Sequence, residues 1–241
     1  MKKSLIIIPT YNEIDNIEKL IRSILSIYEF THILVVDDNS PDQTSRLVLS
    51  LQDEFKKNLF LLNRPFKQGL GKAYIDGFKW GLERSYNYFI QMDADFSHDP
   101  VSIIDLFSFC HEMDSDLVIG SRYVKGINVI NWPISRILLS YFASLYVRII
   151  TGMPIKDPTS GFVCYKRIVL ETLNLEKIKF VGYAFQIEMK FKAFNKRFKV
   201  KEIPIIFTDR INGESKLTSG IIFEAVSGVI FMKVQQILGK L

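Results

Sequence analysis

The strongest constraint on this chain is a regular exchange of two hydrophobic periods through its first half. Leu5–Ile8, His32–Val36, Leu59–Leu62, Tyr88–Met92 and Leu117–Ile119 are apolar runs of strand length. Between the first two, Ile14, Ile17, Leu20, Ile21, Ile24, Leu25 and Tyr28 recur at the spacing of a helix with one apolar face. A further helix is expected from about Leu70 to Ser85, and Asp99-Pro100 opens another. Ser40-Pro41-Asp42-Gln43 has the form of a helix start, with Ser40 as N-cap, Pro41 at the first helical position and Gln43 closing a capping box. Strands alternating with helices need crossovers, and crossovers lay the strands parallel in one sheet flanked by helices.

Ligands of open parallel sheets bind beyond the carboxyl ends of the strands. Here those ends are polar: Thr10, Tyr11, Asn12 and Glu13 follow the first, Asp37 and Asp38 the second, Asp93 and Asp95 the fourth, and Ser121 and Arg122 the fifth. Asp93-Ala94-Asp95 is the sharpest of these signals, because residues i and i+2 of an extended segment project to the same side. Two carboxylates held that close repel unless a cation lies between them or a proton is shared, so a divalent metal is the natural third partner. A lone pair of this kind also serves as a polar strand-to-loop turn. Four polar ends on one sheet edge favour a nucleotide bound with a metal.

Across 241 residues no linker rich in Pro, Gly or Ser divides the chain, so one domain is expected. The net charge of +5 suits acidic small molecules or an anionic membrane surface. No nucleic-acid motif is recognised, and nucleic acid is not an expected partner. Cys110 and Cys164 sit in apolar sequence and read as reduced core thiols in a cytosolic compartment; there is no zinc pattern. The apolar run before Pro9 is too short for a signal peptide. Trp132–Ile150 and Ser219–Leu241 read as amphipathic helices that either pack on the domain, or lie in a membrane interface or form a groove for a lipid chain. The second contains Glu224, Lys233, Gln235, Gln236 and Lys240 and is not read as a membrane span. Such a span needs about 20 apolar residues, and an ionised residue at its centre costs roughly 2.5–3.5 kcal/mol.

Five ordered motifs carry a family resemblance: Ile8-Pro9-Thr10-Tyr11-Asn12-Glu13, Val35-Val36-Asp37-Asp38-Asn39-Ser40-Pro41-Asp42, Gly69-Leu70-Gly71-Lys72-Ala73-Tyr74, Met92-Asp93-Ala94-Asp95-Phe96-Ser97-His98 and Gly120-Ser121-Arg122-Tyr123. Together they closely resemble the family 2 glycosyltransferases of GT-A fold, and more narrowly the dolichol-phosphate or polyprenol-phosphate mannosyltransferases. The resemblance runs on through Arg210-Ile211-Asn212-Gly213-Glu214-Ser215-Lys216. It implies an α/β, GT-A-like fold with a Rossmann-like nucleotide-binding half and C-terminal interface helices. A single catalytic domain, 1–241, would divide into a donor- and metal-binding half, 1–125, and an acceptor-binding half, 126–241. The implied reaction is inverting transfer of a hexose, mannose from GDP-mannose, to the phosphate of a polyprenyl or dolichyl phosphate. The alternatives are a UDP-sugar donor or a hydroxyl acceptor. A metal-dependent nucleotidyltransferase matches less well, since Thr10-Tyr11-Asn12-Glu13 is not the Gly-rich basic loop expected after its first strand.

By the same resemblance Pro9, Tyr11, Glu13 and Asp38 match the positions that hold the donor nucleoside, a task suited to carboxylates because ribose hydroxyls and the guanine edge are donors. Val36, Gly71 and Ala94 join the donor-contacting set, Gly71 with Gly69 as a bare backbone the donor can approach. Asp93 and Asp95 match the metal motif for Mg²⁺ or Mn²⁺, with Ser97 where some relatives carry Gln. Arg122, Arg136, Ser140, Arg210 and Lys216 match positions used around phosphates. Arg136 and Ser140 share a helix face, and Arg210 with Lys216 would close over the ligands from a mobile loop containing Gly213. Asp95, Arg122, Arg136, Arg210 and Lys216 form the expected catalytic set. Asp157 and Glu188 become candidate bases if the acceptor is a hydroxyl, although Glu188 also suits a role orienting a basic partner. The expected location is peripheral, on the cytoplasmic face of a membrane, with or without a separate membrane-anchoring subunit.

Overall fold

The computed structural model describes residues 3–209 and 219–240. Its first half follows the hydrophobic periods: β1 (Ser4–Thr10), α1 (Ile14–Ile27), β2 (His32–Asp37), α2 (Thr44–Glu54), β3 (Leu59–Asn63), α3 (Leu70–Leu82) and β4 (Tyr88–Gln91). A short 3-10 turn at Pro100–Ser102 leads into α4 (Ile103–Glu112), then β5 (Leu117–Ser121). Asp99 Oδ1 caps that turn by accepting from Val101 N at 2.9 Å. The second half adds β6 (Val129–Ile130), α5 (Ile134–Thr151), β7 (Val163–Lys166), α6 (Arg167–Thr172), α7 (Tyr183–Asn195), β8 (Val200–Pro204), β9 (Phe207–Thr208) and α8 (Ser219–Ile237).

Seven strands form one sheet in the order β3-β2-β1-β4-β7-β5-β8. All are co-directional except β7, which runs antiparallel to both β4 and β5. Because β4 and β5 oppose the same strand, their carboxyl ends still emerge on the edge shared by β1 and β2, where the polar residues gather. Alternation along β1 makes two cores. Leu5 and Ile7 pack with α3, α6 and α7 on one face, and Ile6 and Ile8 with α1, α2 and α4 on the other. Cys110 and Cys164 are free thiols buried in the second core.

Helix α2 starts three residues later than Ser40-Pro41 predicts. Ser40 is drawn to the end of β2 instead, its Oγ donating to Asp37 Oδ1 at 2.6 Å and its N to Asp37 Oδ2 at 2.9 Å. Gln43 lies outside the helix at φ 73°, and Asp42 Oδ1 accepts from Thr44 N and Thr44 Oγ1. The Asp37 carboxylate, three residues upstream, has outcompeted the capping box.

The two expected amphipathic helices, α5 and α8, pack on one another, and Tyr146 on α5 donates to Val226 O on α8 at 3.0 Å. Their polarity runs opposite to that of a core helix. The buried residues of α5 are Ser144, Val147 and Thr151, whereas Ile134 and Ile149 are 75% and 71% exposed, and Leu138, Leu139 and Phe142 are exposed as well. On α8, Ile230, Val234 and Ile237 also face outward. Among the described residues α5 is long and apolar enough to cross a membrane by length and composition, with 17% of it buried.

Candidate active site

At the ends of β1 and β2, Asp37 is consumed by structure, accepting from Thr10 Oγ1 at 2.8 Å as well as from Ser40. Asp38 is available to a ligand only as half of an ion pair, since its Oδ1 meets the buried Arg64 guanidinium. Arg64 also donates to Asp76 Oδ2 at 2.8 Å and Gln68 Oε1 at 3.0 Å. Beside this pair, Tyr11 carries Lys67 Nζ at 3.8 Å from its ring centroid. Glu13 accepts from Asn16 Nδ2, and its backbone N–H donates to Thr44 Oγ1. Pro9 and Val36 pair in register in the sheet, and the Val36 side chain is wholly in the core, so only its backbone can meet a ligand. Arg64 went unnoticed in the sequence, although it follows β3 as Asp38 follows β2.

Gly71 is also required by packing. A Cβ there would stand 2.8 Å from Phe185 Cγ and 2.9 Å from Phe180 O, so the close approach of these residues demands a bare Cα before any donor is bound. Gly71→Ala should therefore lower the denaturation midpoint by an amount equivalent to about 1–3 kcal/mol, the usual cost of overpacking, in the absence of any ligand.

Asp93 and Asp95 follow β4 and face a cavity of about 470 Å³. Tyr74 OH, buried beneath, donates to Asp93 Oδ1 at 3.2 Å. Burial first, and the Asp93 charge second, hold the Tyr74 phenol well above its usual pKa, so it remains a donor. Asp93 N donates to His98 Nδ1 at 3.1 Å, which assigns the ring proton to Nε2. Burial pushes the His98 pKa down and keeps the imidazole neutral where it stacks on Phe162, 4.7 Å between centroids. Phe96 at φ 59° turns the chain back so that Ser97 N reaches Asp95 Oδ1 at 3.1 Å. That turn leaves Ser97 Oγ buried without a hydrogen-bond partner, on the cavity wall beside both acids; Ala94 between them is buried. Two carboxylates and an unsatisfied hydroxyl are hard oxygen donors of the kind that suits Mg²⁺ or Mn²⁺. No group of three or more His, Cys, Asp or Glu gathers among the described residues, so these residues alone do not form a full acidic cage.

Arg122 also lines this cavity, but as one arm of a buried pair. Its Nε and Nη2 donate to Asp157 at 2.7 and 2.6 Å, and its backbone N to Asp157 Oδ2 at 2.9 Å. Burial alone would raise the Asp157 pKa; the Arg122 charge and these hydrogen bonds overcome it and hold the carboxyl below its usual range. Asp157 is thus an anchor and not a base. Glu188 is spoken for as well, accepting from Lys179 N, Phe180 N and Lys192 Nζ. Arg136 donates to Asp209 Oδ1 at 2.6 Å while its guanidinium lies 4.1 Å from the Trp132 ring centroid. One turn on, Ser140 Oγ accepts from Tyr123 OH at 2.8 Å. Trp132, not singled out as a site residue in the sequence, lines the same cavity and carries a buried Nε1–H without a hydrogen-bond partner. Arg210 and Lys216, with the Gly213 loop, lie outside the described residues.

The structure brings Asp93, Asp95, Ser97, Arg122, Arg136 and Ser140 to one cavity, which continues between α5 and α8 past Leu139, Phe142, Ala143 and Val226. Pro9, Tyr11, Glu13 and Asp38 stand apart from its lining, at the neighbouring strand ends. Beneath the cavity, Lys190 is fully buried and donates to Ser160 O and Gln186 O at 2.7 and 3.1 Å. Burial lowers its pKa to about 7. The unfolded chain, with a lysine pKa near 10.4, binds more protons across that window, so this group makes stability rise with pH from about 7 to about 10. Lys190→Met should flatten that limb, as read by denaturant midpoints across the range.

This arrangement is that of a GT-A-like glycosyltransferase. Crystal structures of glucosyl-3-phosphoglycerate synthase from Mycobacterium tuberculosis share the fold, one with Mn²⁺, UDP-glucose and phosphoglyceric acid superposing at TM-score 0.74 and 15% identity over 97% of this chain and 80% of that one. The chain belongs to glycosyl transferase family 2, whose model matches residues 5–173. It is 42% identical to the polyprenol monophosphomannose synthase of Mycolicibacterium smegmatis over 93% of this chain and 84% of that one. It is 41% identical to the undecaprenyl-phosphate mannosyltransferase of Micrococcus luteus, covering 93% and 91%. Against the dolichol-phosphate mannosyltransferase of Pyrococcus furiosus the identity is 40%, covering 91% of this chain and 60% of the other.

Proposed function

We propose that this protein transfers mannose from GDP-mannose to the phosphate of a polyprenyl phosphate, with inversion, as one catalytic domain spanning residues 1–241. The names of its relatives support the sugar and the acceptor class. The observation that carries the reading is the engagement of both candidate bases, Asp157 by Arg122 and Glu188 by Lys192 and two backbone N–H groups. A hydroxyl acceptor needs a general base within reach, whereas a phosphate monoester arrives already anionic. Positioning and charge compensation then suffice.

Asp93, Asp95 and Ser97 would hold Mg²⁺ or Mn²⁺. A divalent ion bound there supplies charge neutralisation for the donor diphosphate. The M. tuberculosis synthase was solved with Mn²⁺ and UDP-glucose. Asp38, fixed by Arg64, and Glu13 offer acceptors to the nucleoside, and Tyr11 a ring face. Arg136, flattened on Trp132, with the Trp132 Nε1–H and Ser140, orients the acceptor phosphate. One phosphate oxygen attacks the anomeric carbon, and the bond to the diphosphate breaks with its electron pair leaving on GDP. The outward apolar faces of α5 and α8 suit a membrane surface, and the cavity between them suits the isoprenoid chain. These faces support a peripheral position at a membrane, and the proposal puts it on the cytoplasmic face, with an anchoring subunit as an optional partner.

The test is incubation with radiolabelled GDP-mannose, a polyprenyl phosphate and Mg²⁺ or Mn²⁺, followed by organic extraction. Label should move to the organic phase; label remaining wholly in water, or moving only from a UDP-sugar, overturns the assignment. Arg136→Ala should raise KM for the lipid phosphate about 10–100-fold, the worth of a charge-assisted hydrogen bond, while calorimetric GDP-mannose affinity stays unchanged.

A further inference from the structure

We infer that Gln186 and Gly161 form the seat of the transferred hexose, with the Gln186 amide reading a pair of its hydroxyls and so setting sugar selectivity. The inference rests on the proposed donor chemistry and assigns residues to it.

Gln186 is 2% exposed, and neither its Oε1 nor its Nε2 has a hydrogen-bond partner, although both belong to a side chain lining the cavity that holds Asp93 and Asp95. A buried amide left unsatisfied costs free energy, and an apolar side chain of similar size would avoid that cost. An amide presents an acceptor and two donors, the complement of neighbouring sugar hydroxyls. Opposite it, Gly161 has no structural need to be glycine. A Cβ there would stand 3.5 Å from Gln186 Nε2, 3.7 Å from His98 Cε1 and 3.8 Å from Asp93 Oδ1, all ordinary contact distances, and its φ is not positive. The space above that Cα is bounded by the Gln186 amide on one side and a proposed metal-binding carboxylate on another. A hexose attached to a diphosphate held at Asp93 and Asp95 would lie against this surface.

The seat is also braced. Lys190 Nζ ties Ser160 O in the loop to Gln186 O on α7, and Ser160 Oγ ties the loop to Gly120 O at 2.6 Å. Gln186 and Gly161 are thereby held in fixed relation before any ligand arrives, which is what selectivity by hydrogen bonding requires. A site that hydrogen-bonds a substrate hydroxyl rejects an analogue lacking it, because its own polar atoms are then left unpaired.

The experiment compares the parent protein, Gly161→Ala and Gln186→Leu by thermal melting without ligand, calorimetry with GDP, and lipid-extraction kinetics with GDP-mannose and a GDP-deoxyhexose. Gly161→Ala should melt with the parent, bind GDP equally, and lose about 10²-fold or more in kcat/KM through blockage of the seat. Gln186→Leu should melt about 2–4 °C higher, bind GDP equally, and lose about 10–100-fold on GDP-mannose. For one deoxy analogue its loss should be far smaller, collapsing the discrimination between the two sugars. Both variants turning over GDP-mannose within a few-fold of the parent overturns the inference, as does a loss matched by an equal loss of GDP affinity. A parent protein that transfers no mannose would instead refute the donor assignment on which the seat rests.

Discussion

Asp95→Ala is expected to abolish transfer, lowering kcat/KM by at least about 10³-fold, while the ligand-free melting temperature stays close to that of the parent. The size follows from removing charge stabilisation at the leaving diphosphate, where losing even one preorganised donor typically costs about 10²–10³-fold. The small stability effect follows from position. Asp95 lies past the end of β4 and is half-buried at the cavity wall, where its Oδ1 accepts from Ser97 N at 3.1 Å. Isotope transfer to organic solvent and a melting curve measure the two halves of this expectation. Near-parental turnover would reduce the acid pair to a structural turn.

Asp157→Ala should give the largest loss of stability among the site residues. Asp157 is wholly buried and receives three hydrogen bonds from Arg122, two from the guanidinium and one from the backbone. Deleting one partner of a buried pair strands the other charge and typically costs about 3–5 kcal/mol. For a chain of this size that corresponds to a fall on the order of 10 °C in melting temperature. The pair also predicts a pH response. The folded carboxyl is held below the unfolded value near 3.9, so its contribution is present above about pH 4 and is lost as pH falls through the lower folded value. Parent protein should lose stability along that acid limb more steeply than Asp157→Ala. Equal slopes would show that the pair does not govern acid unfolding.

The parts of this protein that were legible in the sequence are those encoded over short spans. Strand β1, helix α1 and strand β2 follow from hydrophobic period, and the projection of Asp93 with Asp95 follows from the two-residue repeat of a strand. The motif resemblance picked out Arg136 and Ser140, their four-residue spacing put them on one helix face, and both line the cavity. What stayed hidden depends on pairs distant along the chain. Arg122 meets Asp157 across 35 positions, and Arg64 meets Asp38 across 26. Strand β7 was missed because it enters the sheet antiparallel between β4 and β5, outside the alternation that signals a crossover. The packing demand on Gly71 was hidden too, because a glycine demanded by packing and one demanded by a ligand look the same in one dimension, and Phe185 lies 114 positions away from it.

Read by itself, the sequence determined a mainly parallel α/β sheet with acids at one edge, since apolar periodicity and strand-end polarity are local properties of the chain. Only the tertiary structure decided which charges act and which are anchored, which glycine is packed and which stands open, and that the apolar faces of α5 and α8 turn outward. The physical reason is that burial, ion pairing and desolvation belong to the neighbours a side chain acquires in three dimensions, and strand order assigns those neighbours.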